Sequence, residues 1–150
     1  ALNQIADKHP DITLVQTIPG VGPRTAEAVV ASIDDSRRFA RNKAIGNYFG
    51  LIPCQDQSAS KNRLGHITQD GPAAVRALLT EAAWQGIRRS PHLKQYFERV
   101  GHGDPTRKKI AVVATAHYLA RVMLAMLRSG QAWRYETKGC KQQAAETKAA

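Results

Sequence analysis

The sequence predicts a mainly α fold, one compact helical domain interrupted by a single long polar loop. Three observations predict it. Apolar side chains recur at helical spacing in several long runs. Proline and glycine punctuate the ends of those runs. No stretch of useful length alternates with the period of a strand. With 150 residues and 43% hydrophobic content, the chain can bury one modest core, and no internal repeat divides it.

The elements follow in order. Residues 1–12 read as the end of a preceding linker helix, which makes the chain a fragment in this reading. Leu14, Val15 and Ile18 form a short apolar face that Pro19 closes, and Ala26, Val29, Val30 and Ile33 form the next after Pro23. In the turn between them, Gly20 and Gly22 permit backbone angles other residues resist, and Pro23 suits the first turn of a helix. Asp34, Asp35 and Ser36 close that helix. Arg37, Arg38 and Arg41 surround Phe39, and Ile45, Tyr48, Phe49 and Leu51 continue the apolar pattern; Phe39 and Tyr48 read as core side chains, the arginines as phosphate contacts.

Residues 54–71 carry few apolar side chains and read as the long polar loop, of a length that is usually functional or disordered. Val75, Leu78, Leu79, Ala82, Ala83 and Ile87 then mark a helix over about 72–89, broken by Ser90 and Pro91. Leu93, Tyr96, Phe97 and Val100 form a shorter helix ended by Gly101 and Gly103. Asp104 and Pro105 cap a final long helix that runs to about Ser129 on a stripe from Ile110 to Leu127 and stops at Gly130. Residues 135–150, rich in Lys, Gln, Ala and Thr, read as a disordered tail.

Lysine and arginine number 22 against 12 acids, a net charge of +10, which favours a polyanionic partner such as nucleic acid over a merely solvated basic surface. Cys54 and Cys140 fall into no paired spacing, so neither a disulfide framework nor a zinc site is indicated, and a reducing cytoplasm fits. No apolar stretch is read as approaching the ~20 residues needed to cross a bilayer, so a soluble, cytoplasmic and nucleoid-associated protein is expected.

The turn carries the first functional signal. Its amides sit at a helix N-terminus, where aligned dipoles favour an anion, and Arg24 adds a mobile charge beside them. The pattern of a hydrophobic residue, Pro19, Gly20, Val21 and Gly22, followed by Ala26 and Val29, resembles the helix-hairpin-helix of many DNA-binding proteins, here at about 13–33. A helical corner with no ligand is the alternative. Such a hairpin grips backbone without reading bases.

In the polar loop, Ser58 and Ser60 are followed by Lys61 and Arg63, and Arg76 is placed to reach back from the next helix, so a phosphodiester would meet counter-charge there. From the residues alone, a phosphate-binding loop with incidental serines is the plainer reading than a serine nucleophile. The histidines 9, 66, 92, 102 and 117 show no triad order; His117 reads as a satisfied core residue, and His66 is the one to follow as a base. The acids read as caps and turns, and no self-contained metal site is seen, so a complete phosphoryl-transfer enzyme would need groups from another domain or subunit.

Taken in order, Ile18 to Pro23, Arg38 and Phe39, Tyr48 to Pro53, Gln57 to Ala59, Arg63 to Thr68, Asp70 and Gly71, Glu81 to Trp84, Arg107 to Ala114 and Met126 to Arg128 resemble the C-terminal domain of insertion-sequence transposases of the one-ten type. The resemblance covers residues 13–134. It implies a serine-containing, RNA-guided DNA recombinase: Ser58, with Ser60 as the alternative, attacks a DNA phosphodiester. Magnesium is held by four acidic residues of an N-terminal resolvase-like domain that this chain lacks. A guide RNA from the element pairs target and donor, and the full-length protein assembles as a homo-oligomer. Gly20, Val21, Gly22, Arg24, Lys61, Arg63 and Arg76 are then the DNA-binding residues, the long polar loop is the active-site loop, and no cofactor belongs to this chain itself. The family commonly has glycine where Ala59 stands, a departure that bears on the loop backbone.

Two other readings stay open. A non-catalytic helix-hairpin-helix module would bind DNA or structured RNA without using Ser58. An assembly domain would pair its long helix, from about Thr106 to Ser129, with a second copy, although burial of that helix in its own core is the simpler expectation.

Overall fold

A computed structural model describes residues 9–58 and 61–135, with the side chains of 54–58 and 61–65 excepted. Ser60 and the tail from Glu136 therefore lie outside the described residues, as do residues 1–8 of the linker helix. Six α-helices are described: α1 (Pro10–Gln16), α2 (Pro23–Ile33), α3 (Ala44–Tyr48), α4 (Ala73–Arg89), α5 (Pro91–Gly101) and α6 (Lys108–Ser129). Single 3-10 turns at Ser36–Arg38 and Pro105–Arg107 join α2 to α3 and α5 to α6.

The helix boundaries follow the punctuation. Pro10, Pro23 and Pro91 each open a helix, where a missing N–H costs nothing. Gly130 ends α6 in the left-handed region at φ 67°. The side chains of Asp35 and Asp104 accept from the amides of Arg37 and Thr106 and cap the two 3-10 turns. Because α1 starts at Pro10, residues 10–12 open this helix rather than finishing an earlier one.

The core forms around α6, which packs on α1, α3, α4 and α5. Val15, Ile18, Val29, Ile33, Ile45, Phe49, Leu79, Leu93, Leu119, Met123 and Leu124 are all buried. By length and composition α6 with the turn before it (Pro105–Ser129) is apolar enough to cross a membrane, contrary to the expectation from the sequence; half of that window is buried inside the domain, as for a core helix. The same burial favours packing within the chain over pairing with a second copy. Thr115, buried on α6, donates its hydroxyl to the Ala111 carbonyl and leaves no unmet polar group there.

The polar loop is the main correction. Residues 53–58 and 61–67 pair as an antiparallel ribbon of β1 (Pro53–Ser58) and β2 (Lys61–Ile67). Ser58 pairs with Lys61, Asp56 with Arg63 and Pro53 with Ile67. Between Leu64 and Ile67 the register slips, so Gly65 and His66 stand opposite Cys54 alone, the two-against-one count of a β-bulge, where an interior glycine is at home. The ribbon escapes notice in the sequence because neither strand has an alternating apolar face; backbone pairing holds it instead.

Candidate nucleic-acid interface

The turn between α1 and α2 is held by a close backbone approach. Gly20, at φ +91°, lies so near α4 that a Cβ on it would stand 2.4 Å from the Gly86 amide nitrogen. A Cβ on Gly86 would in turn meet the Leu93 side chain at 2.6 Å and the Pro19 carbonyl at 3.0 Å. This glycine pair seats the turn on the helix. Packing therefore explains Gly20 without any ligand.

Gly22 has no such explanation. Its φ of −86° suits any residue, and nothing lies within 4 Å of a Cβ built on it. It is the N-cap of α2 and supplies no side-chain cap. Pro23 has no N–H, and the Ala26 amide donates to the Gly22 carbonyl at 3.0 Å. The amides of Arg24 and Thr25 are left without a helical partner. Gly22, Pro23 and Arg24 are exposed while Val21 is buried beneath them. An anion approaching here meets two free amides, the positive end of the helix dipole and the Arg24 guanidinium.

The ribbon leaves the helical body through a narrow neck. At Gly50, φ +66°, a Cβ would fall 2.2 Å from the Asp70 carbonyl, and at Gly71, φ +87°, one would fall 2.1 Å from that of Tyr48. Two chain segments cross at backbone distance, which only glycine allows. Thr68 donates its amide to the Ile52 carbonyl at 3.0 Å. Arg76, in the first turn of α4, donates Nη1 to the carbonyls of Phe49 at 3.1 Å and Asp70 at 3.3 Å. These bonds, both from Nη1, pin the two sides of the neck.

Ser58 is the last residue of β1, and the register places positions 56, 58, 61 and 63 on one face of the ribbon. Ser58, Lys61 and Arg63 thus share a face. His66 stands opposite Cys54, four residues down the ribbon from Ser58, about 13 Å at the usual rise. Turn and neck are both mounted on α4: Gly86 follows Arg76 by ten residues, about 15 Å along the axis.

The arginines after α2 are tied down more than expected. Arg37 pairs with Asp35 at 3.2 Å; the Arg37 amide and guanidinium hold that carboxyl below its usual range. Arg38 donates to the Ser32 carbonyl at 2.9 Å and lies over the rings of Phe39 and Tyr48. Phe39 is core as expected, but Tyr48 is 37% exposed and donates to the same carbonyl. Arg128 reaches from α6 to Ser36, Asn42 and Phe39 and fixes the connection. His117 packs its ring on Gly46, and its Nε2 is buried without a partner, so it is not the satisfied residue expected. Burial, then the charges of Arg121 and Lys43, lower its pKa.

One basic feature was missed. Arg107, Lys108 and Lys109 sit exposed at the start of α6, where the helix dipole disfavours cations by roughly 0.3–1 kcal/mol each. The signal was present as three consecutive cations after a cap. Among the described residues no three His, Cys, Asp or Glu side chains gather as a metal site.

Comparison with known proteins places this geometry. Residues 12–98 match the family described as Transposase IS116/IS110/IS902. The chain is 33% identical over 141 residues to the transposase for insertion sequence element IS1111A of Coxiella burnetii, covering 89% of this chain and 37% of that protein. It is 31% identical over 112 residues to a probable family 20 transposase of Pseudomonas aeruginosa, covering 73% and 33%. It is 28% identical over 121 residues to the pilin gene-inverting protein of Moraxella bovis, covering 79% and 37%. The chain spans about a third of the length of these relatives.

Proposed function

The chain belongs to the IS116/IS110/IS902 transposase family, and from that premise we propose that it is the DNA-handling C-terminal part of a DNA recombinase. The observation that carries the binding half of this reading is the exposed, uncapped start of α2, seated on α4 by the Gly20–Gly86 contact. Gly22, Arg24 and the free amides of residues 24 and 25 hold a DNA phosphate, with Gly20 and Val21 shaping the turn. Lys61 and Arg63 hold a second phosphate on the ribbon, and Arg107, Lys108 and Lys109 add a third positive zone.

For the chemistry, the Ser58 hydroxyl is the nucleophile and Ser60 its alternative. Its Oγ bonds to phosphorus as the bond to the bridging oxygen breaks, the released strand leaves as a hydroxyl end, and the serine proton passes to a base. Position 58 shares the ribbon face with Lys61 and Arg63, which supports the reading. Arg76 acts as a positioning residue through the neck. Magnesium, the guide RNA, a second copy and the acidic resolvase-like domain belong to the proposed full-length assembly in the bacterial cytoplasm. In this reading the chain alone binds DNA, and cutting needs the full-length assembly.

Fluorescence anisotropy of the chain with labelled duplex tests the binding half. Three phosphate contacts give a log–log salt slope of about −2.7, a roughly 40-fold weakening between 50 and 200 mM salt. Binding that is absent, or indifferent to salt, overturns it.

A further inference from the structure

A second feature lies on the outer side of the contact between α5 and α6. A cleft of about 440 Å³ is lined by His92, Gln95, Tyr96, Glu98, Arg99 and Tyr118. None of the six is aliphatic, whereas Leu93, Ala116 and Leu119 of the same two helices are buried in the core. The rings are ordered. Tyr96 and Tyr118 stack at 4.6 Å and 22°, and His92 stacks on Tyr135 at 3.9 Å and 9°. The Arg99 guanidinium lies 5.2 Å from the Tyr96 ring centre. His92 Nε2 and the Tyr118 hydroxyl are hydrogen-bonded at 2.9 Å. Trp133, whose amide donates to Thr17 Oγ1 at 3.0 Å, pins the segment that carries Tyr135. Tyr135 itself is 50% exposed. Tyr96 and Tyr118, which line the cleft, are themselves only partly buried, so ring surface stays open there at little entropic cost.

We propose that this cleft takes one unpaired nucleobase of a single-stranded nucleic acid, stacked against the Tyr96–Tyr118 wall. The proposal rests on the nucleic-acid reading above but uses different residues and a different ligand form. Base stacking on aromatic rings is the usual device for single strands, and a cation beside the ring strengthens it. A chain of net charge +10 attracts the strand, and Arg99 at the mouth meets its phosphate. Glu98, whose Oε1 lies 3.9 Å from Lys94 Nζ, has its second oxygen left to set which part enters. It repels phosphate and accepts hydrogen bonds from an exocyclic amine, as acids do from cytosine N4, while Gln95 both donates and accepts. A base carrying an amine therefore fits better than thymine or uracil. Burial, then the charge of Arg99, lowers the His92 pKa, and burial first of all raises that of Tyr118, so these two groups are neutral around pH 7.

The test compares 12-nucleotide oligocytidine, in deoxy and ribo forms, with an abasic 12-mer of equal charge and with oligothymidine, by anisotropy on the intact 150-residue chain. Oligocytidine should bind about tenfold tighter than the abasic strand, on the scale of one stacked base, with oligothymidine between; the tighter of the two cytidine forms names the strand. Tyr96→Ala should erase the preference and leave duplex affinity unchanged. Glu98→Gln and Arg99→Gln, at exposed positions that folding tolerates, should erase the preference for cytidine over thymidine and weaken single-strand binding, respectively. Equal affinity for cytidine and abasic strands, or a preference for cytidine over the abasic strand that survives Tyr96→Ala, overturns the proposal. Loss of duplex binding with the cytidine preference intact would instead remove the α2 reading alone.

Discussion

Replacing Gly22 by aspartate should move stability and DNA affinity in opposite directions. The position tolerates a side chain: φ is −86° and a Cβ meets nothing within 4 Å. The new carboxylate can accept from the free amides of Arg24 and Thr25, the ordinary N-cap bond, gaining a few tenths of a kcal/mol over glycine. Its charge at the positive end of α2 adds about 0.3–1 kcal/mol. The sum, roughly 0.5–1.5 kcal/mol, raises the melting temperature by about 2–5 °C for a chain of this size. The same carboxylate occupies the donors a phosphate would use and stands about 4 Å from it, a repulsion of about 1 kcal/mol in water. With the lost charge-assisted bond, duplex affinity should fall by about 2 kcal/mol, or about 30-fold. The salt slope should become shallower by about 0.9, one phosphate. Thermal melts and anisotropy at three salt concentrations read all three quantities. A stabilised protein with unchanged affinity and slope would refute phosphate binding at this helix end.

Gly20→Ala should destabilise by about 2–4 kcal/mol, since it combines a positive-φ penalty with a clash against the α4 backbone; a urea midpoint shift worth under 1 kcal/mol would contradict the close packing. Arg76→Ala removes two bonds from a charged donor to the neck, each worth about 1.5–3 kcal/mol, so hydrogen exchange at the Thr68 amide should accelerate at least tenfold while amides in the middle of α6 stay protected. Lys109→Glu should stabilise by about 0.5–1 kcal/mol by relieving the dipole conflict at the start of α6, and weaken duplex binding; a loss of stability would show that the dipole does not govern this end. His92 and His117 are both held below the ordinary histidine pKa, chiefly by burial, so the folded state binds fewer protons than the unfolded. Their stabilisation is complete above about pH 6.5 and is lost as pH falls below it. Urea midpoints should drop between pH 7.5 and 5.5, and His117→Met should reduce the drop; Asp35 and Asp104, whose pKa values are lowered, lose their contribution only at more acid pH.

The helices were legible because helix burial writes itself into a 3.6-residue stripe and because proline and glycine mark the ends. Pro23, Pro91 and Gly130 fall where that logic puts them. The ribbon was not legible. From Cys54 to Leu64 no apolar face alternates, and the strands are held by backbone pairing, a bulge at Gly65 and a neck closed by Gly50, Gly71 and Arg76. Of the candidate site, the open start of α2 could be read from Gly22, Pro23 and Arg24. The reason for Gly20 could not, because its partner Gly86 lies far along the chain. The bonds of Arg76 Nη1 to the Phe49 and Asp70 carbonyls could not be read either, because both carbonyls lie outside its own helix. The aromatic cleft needs Tyr96 and Tyr118 from different helices, and no local pattern joins them.

The most direct test of the account is covalent capture. The protein that joins this chain to an acidic metal-binding domain, given magnesium, guide RNA and end-labelled element DNA, should form a protein–DNA adduct that survives denaturation. The account predicts that Ser58→Ala abolishes the adduct while Ser60→Ala retains it. An adduct that persists through both substitutions would contradict the serine mechanism and leave the chain a DNA-binding part alone.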